Sequence, residues 1–148
     1  MLSSILSLAA VALVTTTPAL GRITNVYFPD TAYLGETIQV NVSTQIYIQN
    51  WSDMGIMFGL ANRDVHCGTC VGSGYYYHDL YNAPGFGGIN NNYTRGNHTL
   101  DYPVPTNLVA GDSYKIVAAV PYIVGAEGTT GIRYWNSSIT LTPNPDDA

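Results

Sequence analysis

Apolar and polar residues alternate with a period of two along most of the chain after residue 21, the spacing that lines one face of a β-strand. Ile23 to Phe28 reads as a first strand, stopped by Pro29. Thr37 to Ser43 sets Ile38, Val40 and Val42 on one face against Thr37, Gln39, Asn41 and Ser43 on the other. Asp53 to Ala61 places Met54, Ile56, Phe58 and Leu60 together, with Gly55 and Gly59 opposite. Asn97 to Val104 turns Leu100, Tyr102 and Val104 inward, and Ser113 to Val120 does so with Tyr114, Ile116, Ala118 and Val120. In that strand Val117 and Ala119 make the second face apolar as well. Ile132 to Thr142 ends the series with Trp135, Ile139 and Leu141 in phase. No helical period competes.

Strands at this spacing predict an all-β fold, an immunoglobulin-like or fibronectin-like antiparallel β-sandwich of about seven strands. Leu34-Gly35-Glu36-Thr37 looks like the tight turn leading into the second strand of such modules. Leu108 through Tyr114 resembles a tyrosine corner, in which the phenol bonds back to backbone, in preference to an ordinary turn before a buried Tyr. The stretch 62–96 breaks the regularity. It holds both cysteines, five of the twelve Tyr and seven of the fifteen Gly. A passive connection of that length is unusual in a compact domain. It is therefore expected to supply a seventh, edge strand near Gly74 to Tyr81, with the remainder serving recognition.

The first 21 residues are different. Leu2 to Leu20 carry no charge, and Ile5 to Val14 is apolar before Ala19-Leu20-Gly21. These are features of a secretory signal peptide, residues 1–21, with an apolar core too short to span a membrane. The mature product would then be a single domain, 22–148. Five Asn-x-Ser/Thr sequons, at Asn41, Asn50, Asn92, Asn97 and Asn136, fit a eukaryotic secreted glycoprotein. Asn41, Asn97 and Asn136 each fall opposite the apolar set of their own strand, as a solvent-facing sugar requires. The C-terminus offers no hydrophobic tail for a lipid anchor. Net charge is −5, and the five basic residues are scattered singly. That distribution argues against a nucleic-acid or anionic-membrane partner, both of which need clustered positive charge.

Candidate chemistry is sparse. Cys67-Gly68-Thr69-Cys70 admits three readings: a local disulfide, a redox pair, or half of a zinc site completed by His66, His78 or His98. A disulfide is favoured, since secreted thiols oxidise and the composition predicts no helix to activate a redox cysteine. Gly72-Ser73-Gly74 lacks the flanking glycine of a nucleophile elbow. Asp64, Asp79 and Asp101 have the residue type for glycoside hydrolysis, but isolated Asp residues commonly form turns. Neither metal nor cofactor is expected, and no enzyme activity. Tyr75-Tyr76-Tyr77 with Tyr81 and Phe86 forms a candidate binding platform for sugar rings or an apolar partner. A tyrosine-rich edge that merely covers the sheet accounts for it equally well.

Several segments together resemble a known family. Arg22-Ile23, Leu34-Gly35-Glu36-Thr37, and Tyr47-Ile48-Gln49-Asn50 leading into Asp53 to Gly59 are similar to the necrosis-inducing secreted proteins of fungi. So are Val104 to Leu108, Ala118-Ala119-Val120 and Tyr122 to Ala126. The likeness covers most of the chain after residue 21 but not the Cys67–Cys70 loop. It implies a small non-enzymatic effector that provokes plant cell death. It also implies suppression of pattern-triggered immunity by binding the receptor co-receptor and cytoplasmic kinases of the host, with entry into host cells. A monomer is expected. The alternative from another class is an extracellular carbohydrate-binding cell-wall protein using the Tyr75–Tyr81 face.

Overall fold

A computed structural model describes residues 21–47, 51–64, 66–80 and 95–147. Within them are nine strands: β1 (Gly21–Tyr27), β2 (Thr31–Tyr33), β3 (Thr37–Ile46), β4 (Trp51–Asp53), β5 (Gly55–Asn62), β6 (Ser73–Asp79), β7 (Gly96–Pro103), β8 (Ser113–Val124) and β9 (Thr129–Thr142). They form two sheets, one ordered β1-β3-β7 and the other β2-β9-β8-β5-β6, with β4 paired to β8 beyond β5. All pairings are antiparallel except β2 with β9.

The expected strands all appear, but the count is nine rather than about seven, for two local reasons. β2 is three residues long, too short to show a period, and Leu34 N and Thr140 N bond across the parallel junction to Thr142 O and Asp30 O. The expected strand Asp53–Ala61 is interrupted after Asp53. Asp53 pairs with Tyr122 whereas Met57 pairs with Ala119, so the register shifts by one residue. Met54 at this shift is half-buried rather than in the core with Ile56, Phe58 and Leu60.

Between the sheets lies the core the alternation predicts. Ile23, Val26, Ile38, Val40, Val42, Leu100 and Tyr102 of the smaller sheet meet Ile56, Phe58, Leu60, Ile116, Ala118, Val120, Ile139 and Leu141 of the larger. Burying such side chains is the main favourable term in folding, about 1.5–3 kcal/mol for each large one. The Phe58 ring packs edge-on to Phe28 and tilted against Tyr102. The tyrosine corner is present: Tyr114 Oη accepts from Val109 N at 3.0 Å. The turn before β3 takes Gly35 at φ 77°, a left-handed conformation that suits glycine, and Tyr33 N donates to Glu36 Oε2 at 2.8 Å.

At one end the sheets are tied by charge. Asp53, 2% exposed, accepts from Ile23 N (2.7 Å), Trp51 Nε1 (2.9 Å) and Arg133 Nη2 (2.6 Å). Arg133 Nη1 also donates to Ile23 O. Burial pulls the Arg133 guanidinium below its usual pKa, and the Asp53 carboxylate opposes that shift. Arg22 lies over the Trp51 ring, which itself stacks on Tyr122 at 4.4 Å. The basic residues are therefore not all solitary: Arg22 and Arg133 both converge on Trp51, worth about 0.5–2 kcal/mol per contact.

Candidate functional site

The two outer faces of the molecule differ in chemistry, and the tyrosine strand belongs to the apolar one. β6 is an edge of the six-stranded sheet and pairs only with β5 there. Met57 stands opposite Tyr77 and Phe58 opposite Tyr76. Because Phe58 points into the core, Tyr76 and His78 lie on the inner side while Tyr75 and Tyr77 point out. Tyr75 is 71% exposed and Tyr77 48%. Tyr76 is still 42% exposed, because the core thins at the sheet edge; its ring packs edge-on to His78 at 5.0 Å.

Tyr77 does not swing freely. Its ring lies across the backbone of Gly55, where a Cβ would collide with it, and its hydroxyl reaches Met54 O at 3.3 Å. Partial burial raises its pKa, with the Asp79 charge adding to the effect, so the phenol is neutral at physiological pH.

From Tyr77 an outward row crosses four strands. Met57 of β5 pairs with Ala119 of β8, and Ala119 with Tyr134 of β9. The adjoining row adds Pro121 opposite the exposed Ile132. Sequence reasoning flagged Val117 and Ala119 as a second apolar face but did not connect them to Tyr134 or Ile132. That link needs the strand order. The disulfide loop borders the same face: Cys67 and Cys70 are bonded, and Val71 beside them lies over Gly59, where a Cβ would sit 2.6 Å from the Val71 carbonyl oxygen.

Tyr81 and Phe86, and the sequons at Asn50 and Asn92, lie outside the described residues, as does all of the expected signal peptide but Gly21, which opens β1. Asn41, Asn97 and Asn136 are exposed. The structure does not assemble the other candidates. His78 contacts Asp101 O on the neighbouring sheet (2.6 Å), and His98 contacts Thr44 (3.2 Å). Asp79 ends β6, Asp101 lies in β7 and Asp64 in the turn after β5. Among the described residues, no group of three or more His, Cys, Asp or Glu is placed to hold a metal ion. An open concavity of about 380 Å³ lined by Arg63, Asp64, Asp112 and Tyr114 is polar and includes none of the β6 tyrosines.

A sequence model of the Nis1 family matches residues 19–140, from just before β1 to near the end of β9. The chain belongs to the Nis1 family. The match spans both sheets, the Asp53–Arg133 pair and the tyrosine strand. Two curated relatives are each called necrosis-inducing secreted protein 1. That of Colletotrichum higginsianum is 27% identical over 122 residues, covering 81% of this chain and 78% of its own. That of Colletotrichum orbiculare is 29% identical over 127 residues, covering 83% of this chain and 71% of its own. The family resemblance carried by the segments around Arg22, Leu34, Tyr47 and Val104 is thereby shown.

Proposed function

We propose that this chain is a secreted, non-enzymatic effector that acts by binding a host protein through the apolar outer face around Tyr75, Tyr77, Met57, Tyr134 and Ile132. The observation that carries the docking surface is the row Tyr77–Met57–Ala119–Tyr134, set by register across four strands, with Tyr77 exposed, Met57 and Tyr134 half-buried and Ala119 buried between them. Exposed aromatics grouped on a rigid sheet match the anchors that dominate protein interfaces, and a contiguous apolar patch on a soluble chain marks an interaction surface. The names of the relatives support secretion and a cell-death outcome. The partners proposed are the kinase domains of the plant immune co-receptor and of the cytoplasmic kinases it relays to, whose capture would suppress pattern-triggered immunity. Cytoplasmic targets require entry into host cells after secretion. The strand order supports reading the scaffold as an immunoglobulin-like or fibronectin-like sandwich. β1 lies in the smaller sheet, and the chain crosses to the larger at β2.

The test is a pull-down of purified residues 22–148 against those kinase domains, with chitin and glucan as parallel bait. Saturable kinase binding that weakens in Tyr77→Ala supports the proposal. Retention on polysaccharide alone overturns it in favour of a cell-wall binding protein. One observation favours that second reading: Tyr75 and Tyr77 share a face two residues apart, about 7 Å, a spacing suited to sugar rings.

A further inference from the structure

On the outer face of the three-stranded sheet, one aromatic stands among polar side chains. Tyr27 of β1 is 54% exposed, on a face it shares with the polar side chains of Asn25, Gln39, Asn41, Ser43, Asn97, Thr99 and Asp101. Register places it directly opposite Asn41 in β3, and places Thr99 of β7 on the other flank of Asn41. All three point outward, because the neighbouring pair Val26 and Val42 is buried. Directly opposed Cβ atoms in an antiparallel pair are about 4.5–5.5 Å apart.

Asn41-Val42-Ser43 and Asn97-His98-Thr99 are both N-glycosylation sequons, and they lie antiparallel to each other. Thr99 Oγ1 donates to Asn41 Oδ1 at 3.2 Å. Ser43 Oγ donates to Asn97 Oδ1 at 2.7 Å. Each sequon's hydroxyl thus holds the other's amide oxygen. Asn41 Oδ1 is taken up by Thr99 of β7, while Tyr27 of β1 faces Asn41 from the other flank.

We propose that Asn41 carries an N-linked oligosaccharide whose first N-acetylglucosamine packs against the Tyr27 ring, with a second glycan on Asn97 beside it. In the transfer, Asn Nδ2 bonds to C1 of an oligosaccharide carried on a polyprenyl diphosphate. The C1–O bond breaks, the diphosphate leaves with the electron pair, and Nδ2 loses one proton. Oδ1 keeps its lone pairs, so both cross-strand hydrogen bonds survive modification. The apolar face of the sugar then covers an aromatic surface that water otherwise wets. In the finished fold Asn41 sits in a strand paired on both sides and Ser43 is engaged by Asn97, 54 residues further on. Transfer therefore precedes the β3–β7 pairing. The inference rests on passage through the secretory route and not on the docking face, so failure of either leaves the other standing.

The experiment uses the full chain secreted from yeast with Asn50, Asn92, Asn97 and Asn136 all changed to Gln, a variant that leaves Asn41 as its one sequon. Its glycan is trimmed to one sugar, and its melting temperature is compared with the same variant refolded unglycosylated from bacteria. The expected result is a sugar on Asn41 by peptide mass and a gain of about 3 °C. That gain persists in Tyr27→Phe and vanishes in Tyr27→Ala. Should Tyr27→Ala not be secreted, Tyr27→Thr, a good strand former, gives the same readout. An unmodified Asn41 in the secreted protein, or an equal gain without the aromatic ring, overturns the proposal. Glycopeptide mass of the wild-type chain reads Asn97 separately, and an unmodified Asn97 there removes the second glycan from it.

Discussion

The outer faces of the two sheets are made by the same alternation and are chemically opposite. On the three-stranded sheet the outward positions are mostly polar, among them Asn25, Gln39, Asn41, Ser43, Asn97, Thr99 and Asp101 around the single Tyr27, and Asn41 with Thr99 and Ser43 with Asn97 bond across strands. On the six-stranded sheet the outward positions include Tyr77, Met57, Tyr134 and the buried Val117 and Ala119, with Lys115 and Ser138 further along the same face. A period of two only guarantees that one face is buried; the character of the other is free to follow function. The polar face carries two sequons and is suited to sugar. The apolar face carries the Asn136 sequon one row from Ala119, beside Val117, and leaves the Tyr77 end open.

The largest expected effect abolishes the comparison by separating the sheets. Asp53→Ala leaves the buried Arg133 charge, the Trp51 indole and Ile23 N without their acceptor. It should cost about 3–5 kcal/mol, read as a lower midpoint in urea with both faces lost in one transition. A persistent second transition would show that the sheets are stable apart.

A smaller effect separates the faces. Gly59→Val pushes a side chain into the Val71 carbonyl, 2.6 Å from the new Cβ, and should cost about 1–3 kcal/mol. Gln39→Val on the polar face changes an exposed position opposite Asp101 and should stay within about 0.5 kcal/mol. Equal costs from the two substitutions would mean that the disulfide loop does not pack on β5.

Alkaline pH tests the seam between the sheets. Tyr102 is fully buried and donates to Gly74 O at 2.8 Å, and burial raises its pKa above the ordinary 10.0. The folded state therefore holds this proton more tightly than the unfolded chain. Its contribution is complete below pH 10 and is lost as pH climbs beyond, by up to about 1.4 kcal/mol per pH unit. Tyr77 shifts in the same direction. Urea midpoints measured between pH 9 and pH 11.5 should fall, and Tyr102→Phe should flatten the slope.

Binding gives the finest discrimination. Tyr134→Ala should weaken the proposed kinase interaction about tenfold, roughly 1.4 kcal/mol, while Gln39→Ala leaves it unchanged. Loss of affinity with Gln39→Ala and not with Tyr134→Ala, in titration calorimetry, would move the docking surface to the three-stranded sheet.

Much of this arrangement was legible in the residues alone. The inward sets at Ile38–Val42, Leu100–Val104 and Tyr114–Val120, the tyrosine corner at Tyr114 and the edge strand in the 62–96 stretch follow from periodicity and turn chemistry. Both are local, and burial enforces them wherever one face must leave water. The three exposed sequon asparagines follow from the same parity. Family membership was readable from short ordered segments around Leu34 and Tyr47. Only the tertiary structure decided which outward residues become neighbours. Tyr77 meets Met57 and Tyr134 lines up beyond Ala119 because β6, β5, β8 and β9 are adjacent. Tyr27 meets Asn41, and Arg22 and Arg133 reach Trp51, through pairings between residues far apart in the chain. No local pattern encodes such register, since it is set by how whole strands bury their faces against one another.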